Sequence, residues 1–273
     1  MQGRSPTPPP QNGGFSYPPR APAAYSHLAG TSNSPALQSG SPTTYRPSAP
    51  HPHAAYPPLR TTWSRLRAFL ASTYPDLEDS LNLPAPVEVI NELELRLNMP
   101  LPSSVRESYL CTDGQDMDGG LTEGLFFGLS LLPLEDVLSE WTFWRKVESD
   151  PATGGNPRLN ATMGSYPQRF IKKRYASRGW LPLISDRAGN YIGVDLDPGP
   201  RGEWGQVIIW GRDFDNKCVL WRGEGEGGWG RWLDGWVTDL ENGEGWELED
   251  ANGNDSAVSS RSPPTVAKRR RSR

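Results

Sequence analysis

GNYIGVDLDPGPRGEWGQVIIWGRDF, residues 189–214, decides how this chain is read. Two β-forming runs, NYIGVDL and QVIIWGRD, flank the loop DPGPRGEWG. Pro198 and Pro200 fix φ, while the glycines permit the bend, so the stretch predicts a rigid hairpin. Working outward, WLPLIS precedes it across the turn DRAG, and CVLWR follows it across a turn at Asp215-Asn216. Strands joined by such short turns pair antiparallel, as a meander.

Helical patterns surround the meander. TTWSRLRAFLASTYP places Trp63, Leu66, Leu70 and Tyr74 on one face, with Thr61 or Thr62 as the expected cap and Pro75 as the stop. APVEVINELELRLNMPLP aligns Val89, Leu93 and Leu97, and PSSVRESYLCTDGQ predicts a short helix capped by Ser103. GLFFGLSLLPL reads as a strand. LPLEDVLSEWTFWRKVES follows as a helix with Val137, Leu138, Trp141 and Trp144 inward. Residues 150–165 read as loop, and the basic run SYPQRFIKKRYASRGW as mostly helical. WGRWLDGWVTDL closes the pattern, with Trp232, Leu233, Trp236 and Leu240 aligned. Helices, then a strand, a helix, a meander and a last helix make an α+β domain, N-terminal helices packed on a mainly antiparallel sheet.

Composition sets the limits of that domain. Residues 1–60 hold fourteen of the 28 prolines, four arginines and no acid. Such a segment cannot bury enough apolar surface to offset its ordering entropy, and it is expected to be disordered. Residues 251–273 read the same way and end in the basic run Lys268–Arg273, a candidate nuclear-import signal. Residues 61–250 remain as one folded domain of net charge −13, against +4 and +5 for the tails. An acidic domain repels phosphate backbones, so nucleic-acid binding by it is not expected. No run approaches a membrane span, and no apolar leader opens the chain, so a cytoplasmic protein is expected. Cys111 and Cys218 fit a reducing compartment as unbridged thiols.

His27, His51 and His53 all lie in the N-terminal tail, so residues 61–250 contain no imidazole. That removes His-based triads, most zinc sites and the commonest acid–base catalyst. Read as an EF-hand, Asp195 and Asp197 take positions one and three. Pro200 then stands where Gly is needed, and Gln206 where Glu is needed. GEGEGG, residues 223–228, spells a dinucleotide fingerprint, but Glu224 and Glu226 repel a pyrophosphate and the order is not βαβ. No catalytic residue, cofactor or metal is therefore expected. Two alternatives stay open. Paired carboxylates could hydrolyse glycosides, and exposed members of the eleven tryptophans could stack on sugar rings. Ser5, Thr7, Ser34, Ser41 and Ser262 each precede proline in the tails and are candidate phosphorylation sites.

TDGQ, then GLFFGLSLLPLEDV, then GWLPLISDRAGNYIGVDLDPGPRGEWGQVIIWGRDFD, then WGRWLDGWVTDL together resemble the fungal cell wall assembly regulators, the SMI/KNR group of the SUKH superfamily. The resemblance covers about residues 60–250. It implies a single SUKH-like α+β domain with disordered flanks, no catalysis, and regulation of β-1,3-glucan synthesis and wall assembly. It implies action as a protein-binding hub, with partners in cell-integrity MAP kinase signalling and wall synthesis, at sites of polarised growth. Relatives with this fold in bacteria are immunity proteins that bind toxins by contact. Family-like positions such as Asp113, Gln115, Asp195 and Asp197, with Trp204 and Trp210 beside them, are the candidate partner surface.

Overall fold

Four helices of this protein begin directly after a proline. In the computed structural model, which describes residues 56–116, 124–223 and 225–244, Pro58, Pro86, Pro102 and Pro133 precede α1 (Leu59–Thr73), α3 (Val87–Leu97), α4 (Ser103–Tyr109) and α5 (Leu134–Ser149). Each proline sits at φ near −60° with extended ψ and turns the chain into its helix without a side-chain cap. The caps expected at Thr61 or Thr62 and at Ser103 are therefore corrected. Thr62 is buried, and its hydroxyl donates to Asp234 Oδ1 on α7 (Gly228–Glu241). Pro75 does follow the end of α1 at Thr73, as expected, and it also opens α2 (Pro75–Asp79) at its first turn. The folded part also begins before residue 61: Leu59 is buried, and the Tyr56 hydroxyl donates to Glu107 Oε1 at 2.7 Å.

One six-stranded sheet organises the rest, in the order β1-β3-β4-β5-β6-β2. β3 (Trp180–Ser185), β4 (Asn190–Asp195), β5 (Gln206–Gly211) and β6 (Asn216–Trp221) form the expected antiparallel meander. β1 is only Ser130–Leu131, shorter than its apolar run suggested, because Phe127 and Gly128 take positive φ in a tight turn just before it. Residues 150–165 are not all loop. Asn156 Oδ1 accepts the Arg158 amide at 3.0 Å and caps α6 (Pro157–Thr162), and β2 (Gly164–Tyr166) pairs parallel with β6. The basic run 165–180 contains no helix. It leaves β2 through a cis Tyr166–Pro167 peptide and continues as turns and irregular chain to β3.

The centre of the sheet, β3 to β5, is buried on both faces. One face carries the main core, built from α1, α3, α4, α7 and the first half of α5, with Trp63, Leu66, Ile90, Leu97, Val105, Val137 and Leu233 at its centre. The other face packs Trp144 and Val147 of α5 and Ile171 and Ala176 onto Trp180, Tyr191, Ile208 and Trp210. Two-sided burial explains why β3 to β5 read as nearly continuous apolar runs. It also fixes Gly193: a Cβ there would collide with the Leu181 carbonyl and stand 2.9 Å from the Trp210 ring. Among the described residues Lys217 is the one fully buried lysine. Its Nζ donates to the Phe214 carbonyl at 3.0 Å and lies 5.5 Å from the Trp180 ring centroid, and burial lowers its pKa to about 8. The expected boundary at residue 250, the five candidate phosphorylation sites and Lys268–Arg273 lie outside the described residues.

Candidate functional site

The loop between β4 and β5 is closed from within. Asp195 and Gln206 face each other at the last register position of the hairpin, and both are fully buried. Gln206 Nε2 donates to Asp195 Oδ2 at 2.9 Å, and the Asp197 amide donates to Asp195 Oδ1 at 3.0 Å. The loop amides of Gly205 and Gln206 are also used, bonding the Asp195 and Glu203 carbonyls at 2.9 and 3.1 Å. Burial pushes the Asp195 carboxyl up to about 7, against the pull of the Gln206 and Asp197 bonds and the Lys172 charge. A carboxyl near neutrality is one mark of acid–base chemistry. Here both oxygens are held by protein donors and none of the residue reaches solvent, so the group braces the loop.

The same latch holds a second segment. Gln206 Nε2 donates also to the Phe170 carbonyl at 3.0 Å, where the Gly199 amide donates at 2.8 Å. The Arg201 amide donates to the Arg169 carbonyl at 3.0 Å. Gly202 lies so close to the Phe170 carbonyl that a Cβ would overlap it, which is why the loop needs glycine at that point. Lys172 and Asp197 form an ion pair on the rim. Two loops are thus locked backbone to backbone, and the Phe170 ring lies nearly buried between them. The guanidinium carbons of Arg201 and Arg222 stand 5.6 and 5.5 Å from its centroid, and Arg169, Arg201 and Arg222 are all exposed.

Most of the candidate partner surface lies inside the molecule. Asp113 is buried, and its Oδ1 accepts the Leu134 amide at 2.8 Å, serving the first turn of α5. Gln115 is fully buried: its Oε1 accepts the Leu125 and Leu131 amides at 2.9 and 3.0 Å, and its Nε2 donates to Ser80 Oγ at 3.1 Å. Trp210 packs between Trp180 and Tyr191, with centroids 6.0 and 5.7 Å away. Asp113, Gln115 and Asp195 are corrected from surface contacts to internal braces, because each polar group found backbone or side-chain partners in the core, and Trp210 is corrected to a buried ring of the second core. Trp204 is half-buried against the main core, and Asp197 alone of the six keeps a side chain about half exposed, at 49 %. None of the ten described tryptophans is exposed, so the expected stacking of exposed tryptophans on sugar rings has no counterpart among the described residues. Cys111 and Cys218 are free thiols, as expected.

The exposed arginines were missed because the domain's net acidity hides them. The signal was present in RFIKKRYASR, residues 169–178, a basic run inside an acidic domain. Among the described residues no helix is long and apolar enough to cross a membrane.

The model of the SMI1/KNR4 family (SUKH-1) matches residues 84–223, the span from just before α3 to the end of β6. The cell wall biosynthesis/cell cycle regulator smi1 of Schizosaccharomyces pombe is 37% identical over 201 residues, covering 72% of this chain and 39% of its own length. The glucan synthesis regulatory protein of Neurospora crassa is 33% identical over 221 residues, 71% of this chain and 40% of its own. The cell wall assembly regulator SMI1 of Saccharomyces cerevisiae is 33% identical over 218 residues, 70% and 42%. The chain thus spans about two fifths of the length of these relatives. With the whole sheet and the latched loop of its meander lying inside the matched span, the chain belongs to the SMI1/KNR4 (SUKH-1) family.

Proposed function

We propose that this protein regulates cell wall assembly and glucan synthesis by binding other proteins, without catalysis, and does so in the cytoplasm. The names of its relatives support the process: a wall biosynthesis regulator, a glucan synthesis regulatory protein and a wall assembly regulator. The observation that carries the mode of action is the inward turn of the hairpin's polar groups. Asp195 and Gln206 spend their hydrogen bonds on holding two loops together, and what those loops present to solvent is a preorganised set of side chains. Rigid loops lower the ordering cost of recognition, which suits a binding surface. The partners this reading names are proteins of wall synthesis and of cell-integrity signalling.

Proximity labelling by the full chain, expressed in a wall-forming fungus lacking its own relative, tests the reading together with rescue of growth on wall-perturbing dyes. The expected result is labelling of wall-synthesis or signalling proteins and restored growth. Release of reducing sugar from laminarin by the purified chain, abolished by a point substitution within residues 56–244, would refute it.

A further inference from the structure

The exposed cations around Phe170 form a compact charged patch on a domain whose overall balance is strongly negative. Arg169, Arg201 and Arg222, like Arg60, Arg158 and Arg178 elsewhere, have no carboxylate partner within ion-pair distance among the described residues, whereas Arg65, Arg67, Arg96, Arg106, Arg145, Lys172, Arg174 and Arg212 all do. The guanidinium groups of Arg201 and Arg222 lie over one ring, and Arg169 and Arg201 are joined through backbone. Of the acids on the same loop, Asp197 is engaged by Lys172, and Asp195 lies buried. Glu203 is exposed on the same loop and marks the rim.

We propose that Arg169, Arg201 and Arg222 form a docking site for a phosphorylated segment of a partner protein. The proposal rests on the partner-binding reading above and gives that partner a chemistry. Guanidinium forks match phosphate oxygens in pairs, and the Phe170 ring attracts the Arg201 and Arg222 cations to one place. A domain of net charge −13 over residues 61–250 repels extended polyanions and charged bilayers at long range, while a short phosphopeptide meets only the local field. The apolar neighbours fit a peptide as well. β2 and β6 lie side by side and run in parallel toward Arg169 and Arg222, and they expose Tyr166 and Leu220. β2 covers β6 only at Asn216–Cys218, so a peptide leaving the arginines can run past the uncovered length of β6 and lay a side chain on that surface.

The test uses the full chain, immobilised, against short degenerate peptides with phosphoserine at the centre, and against matched libraries with serine or glutamate there. The expected result is retention of the phosphoserine library at least about tenfold above both, lost in Arg201→Gln/Arg222→Gln. Arg96→Gln, on α3 and away from the patch, should retain it, and circular dichroism should show all variants folded. Equal retention of the serine and phosphoserine libraries would overturn the proposal. So would binding that survives the double substitution, or a preference for phosphatidylserine vesicles or single-stranded DNA over the peptides. Proximity labelling separates the two readings: partners that label equally with the double variant leave the hub standing and sink the phosphate site, whereas no partner at all sinks the hub.

Discussion

Asp195→Asn should change how stability depends on pH, in a direction that the burial of this carboxyl dictates. An aspartate in the unfolded chain titrates near 3.8, and in the folded protein Asp195 titrates at about 7. Between those values the native state holds a proton that the unfolded state has released, so stability falls as pH rises. Its contribution is complete below about pH 4 and lost once pH passes about 7. Each pH unit in that window carries about 1.4 kcal/mol, and the whole effect is about 4 kcal/mol. Asparagine keeps the shape and removes the titration. Urea unfolding of both proteins at several pH values from 4 to 8 reads the difference directly. The gap between the variant and the parent should move in favour of the variant by about 4 kcal/mol across the window and then level off. The absolute offset depends on how the amide shares its donors with Gln206, but the slope does not. Glu140, whose pKa burial also raises against a hydrogen bond from Tyr191, is common to both proteins and cancels. A gap that stays flat from pH 4 to 8 would refute the claim that Asp195 is a desolvated brace.

Other substitutions probe separate parts of the argument. Gln115→Ala strands the Leu125 and Leu131 amides in the core and should cost about 2–5 kcal/mol in denaturant unfolding; a loss under about 1 kcal/mol would mean that water replaces the amide. Gly193→Ala should cost about 3 kcal/mol or more through its clash with the Leu181 carbonyl. Gly235→Ala, on α7 with nothing near the added methyl, should instead raise the melting temperature through about 0.5–1 kcal/mol of helix propensity. Lys217→Met should stabilise the protein at pH 7 by about 2 kcal/mol and flatten its stability between about pH 8 and 10, because the buried amine must otherwise be charged at a cost below its lowered pKa.

The elements that could be read from the sequence are those whose length lets a period show. α1, α3, α5 and α7 each span at least three turns with a buried stripe, and β3 to β6 are bounded by turn residues that leave little choice of register. What escaped was short or held from outside. α2, α6 and β2 are five, six and three residues long, too brief for periodicity. The run 165–180 has helix-forming residues, yet its backbone is committed elsewhere. Ser165 Oγ donates to the Pro167 carbonyl, Asn160 Oδ1 accepts the Tyr175 amide, and the Phe170 carbonyl is taken by Gln206 and Gly199. Those partners lie up to 36 residues away, and local propensity cannot see them.

The site was misread for a related reason. Asp113, Gln115 and Asp195 are polar, and polar groups are ordinarily outside, so a motif rich in them suggests a surface. A loop that must stay rigid needs its backbone donors satisfied, and a buried carboxylate or amide does that where no strand partner is available. The motif residues therefore mark where two loops are bonded together, and the residues they display need carry no motif at all. Arg169, Arg201 and Arg222 come from three loops, at sequence separations that no linear pattern joins, and they meet only because Asp195 and Gln206 hold Phe170 between them. If that order of cause is right, Asp195→Asn should disturb phosphopeptide retention only above about pH 7, where the parent is ionised and the variant is not. Arg201→Gln/Arg222→Gln should abolish retention at every pH while leaving the stability profile of the parent in place.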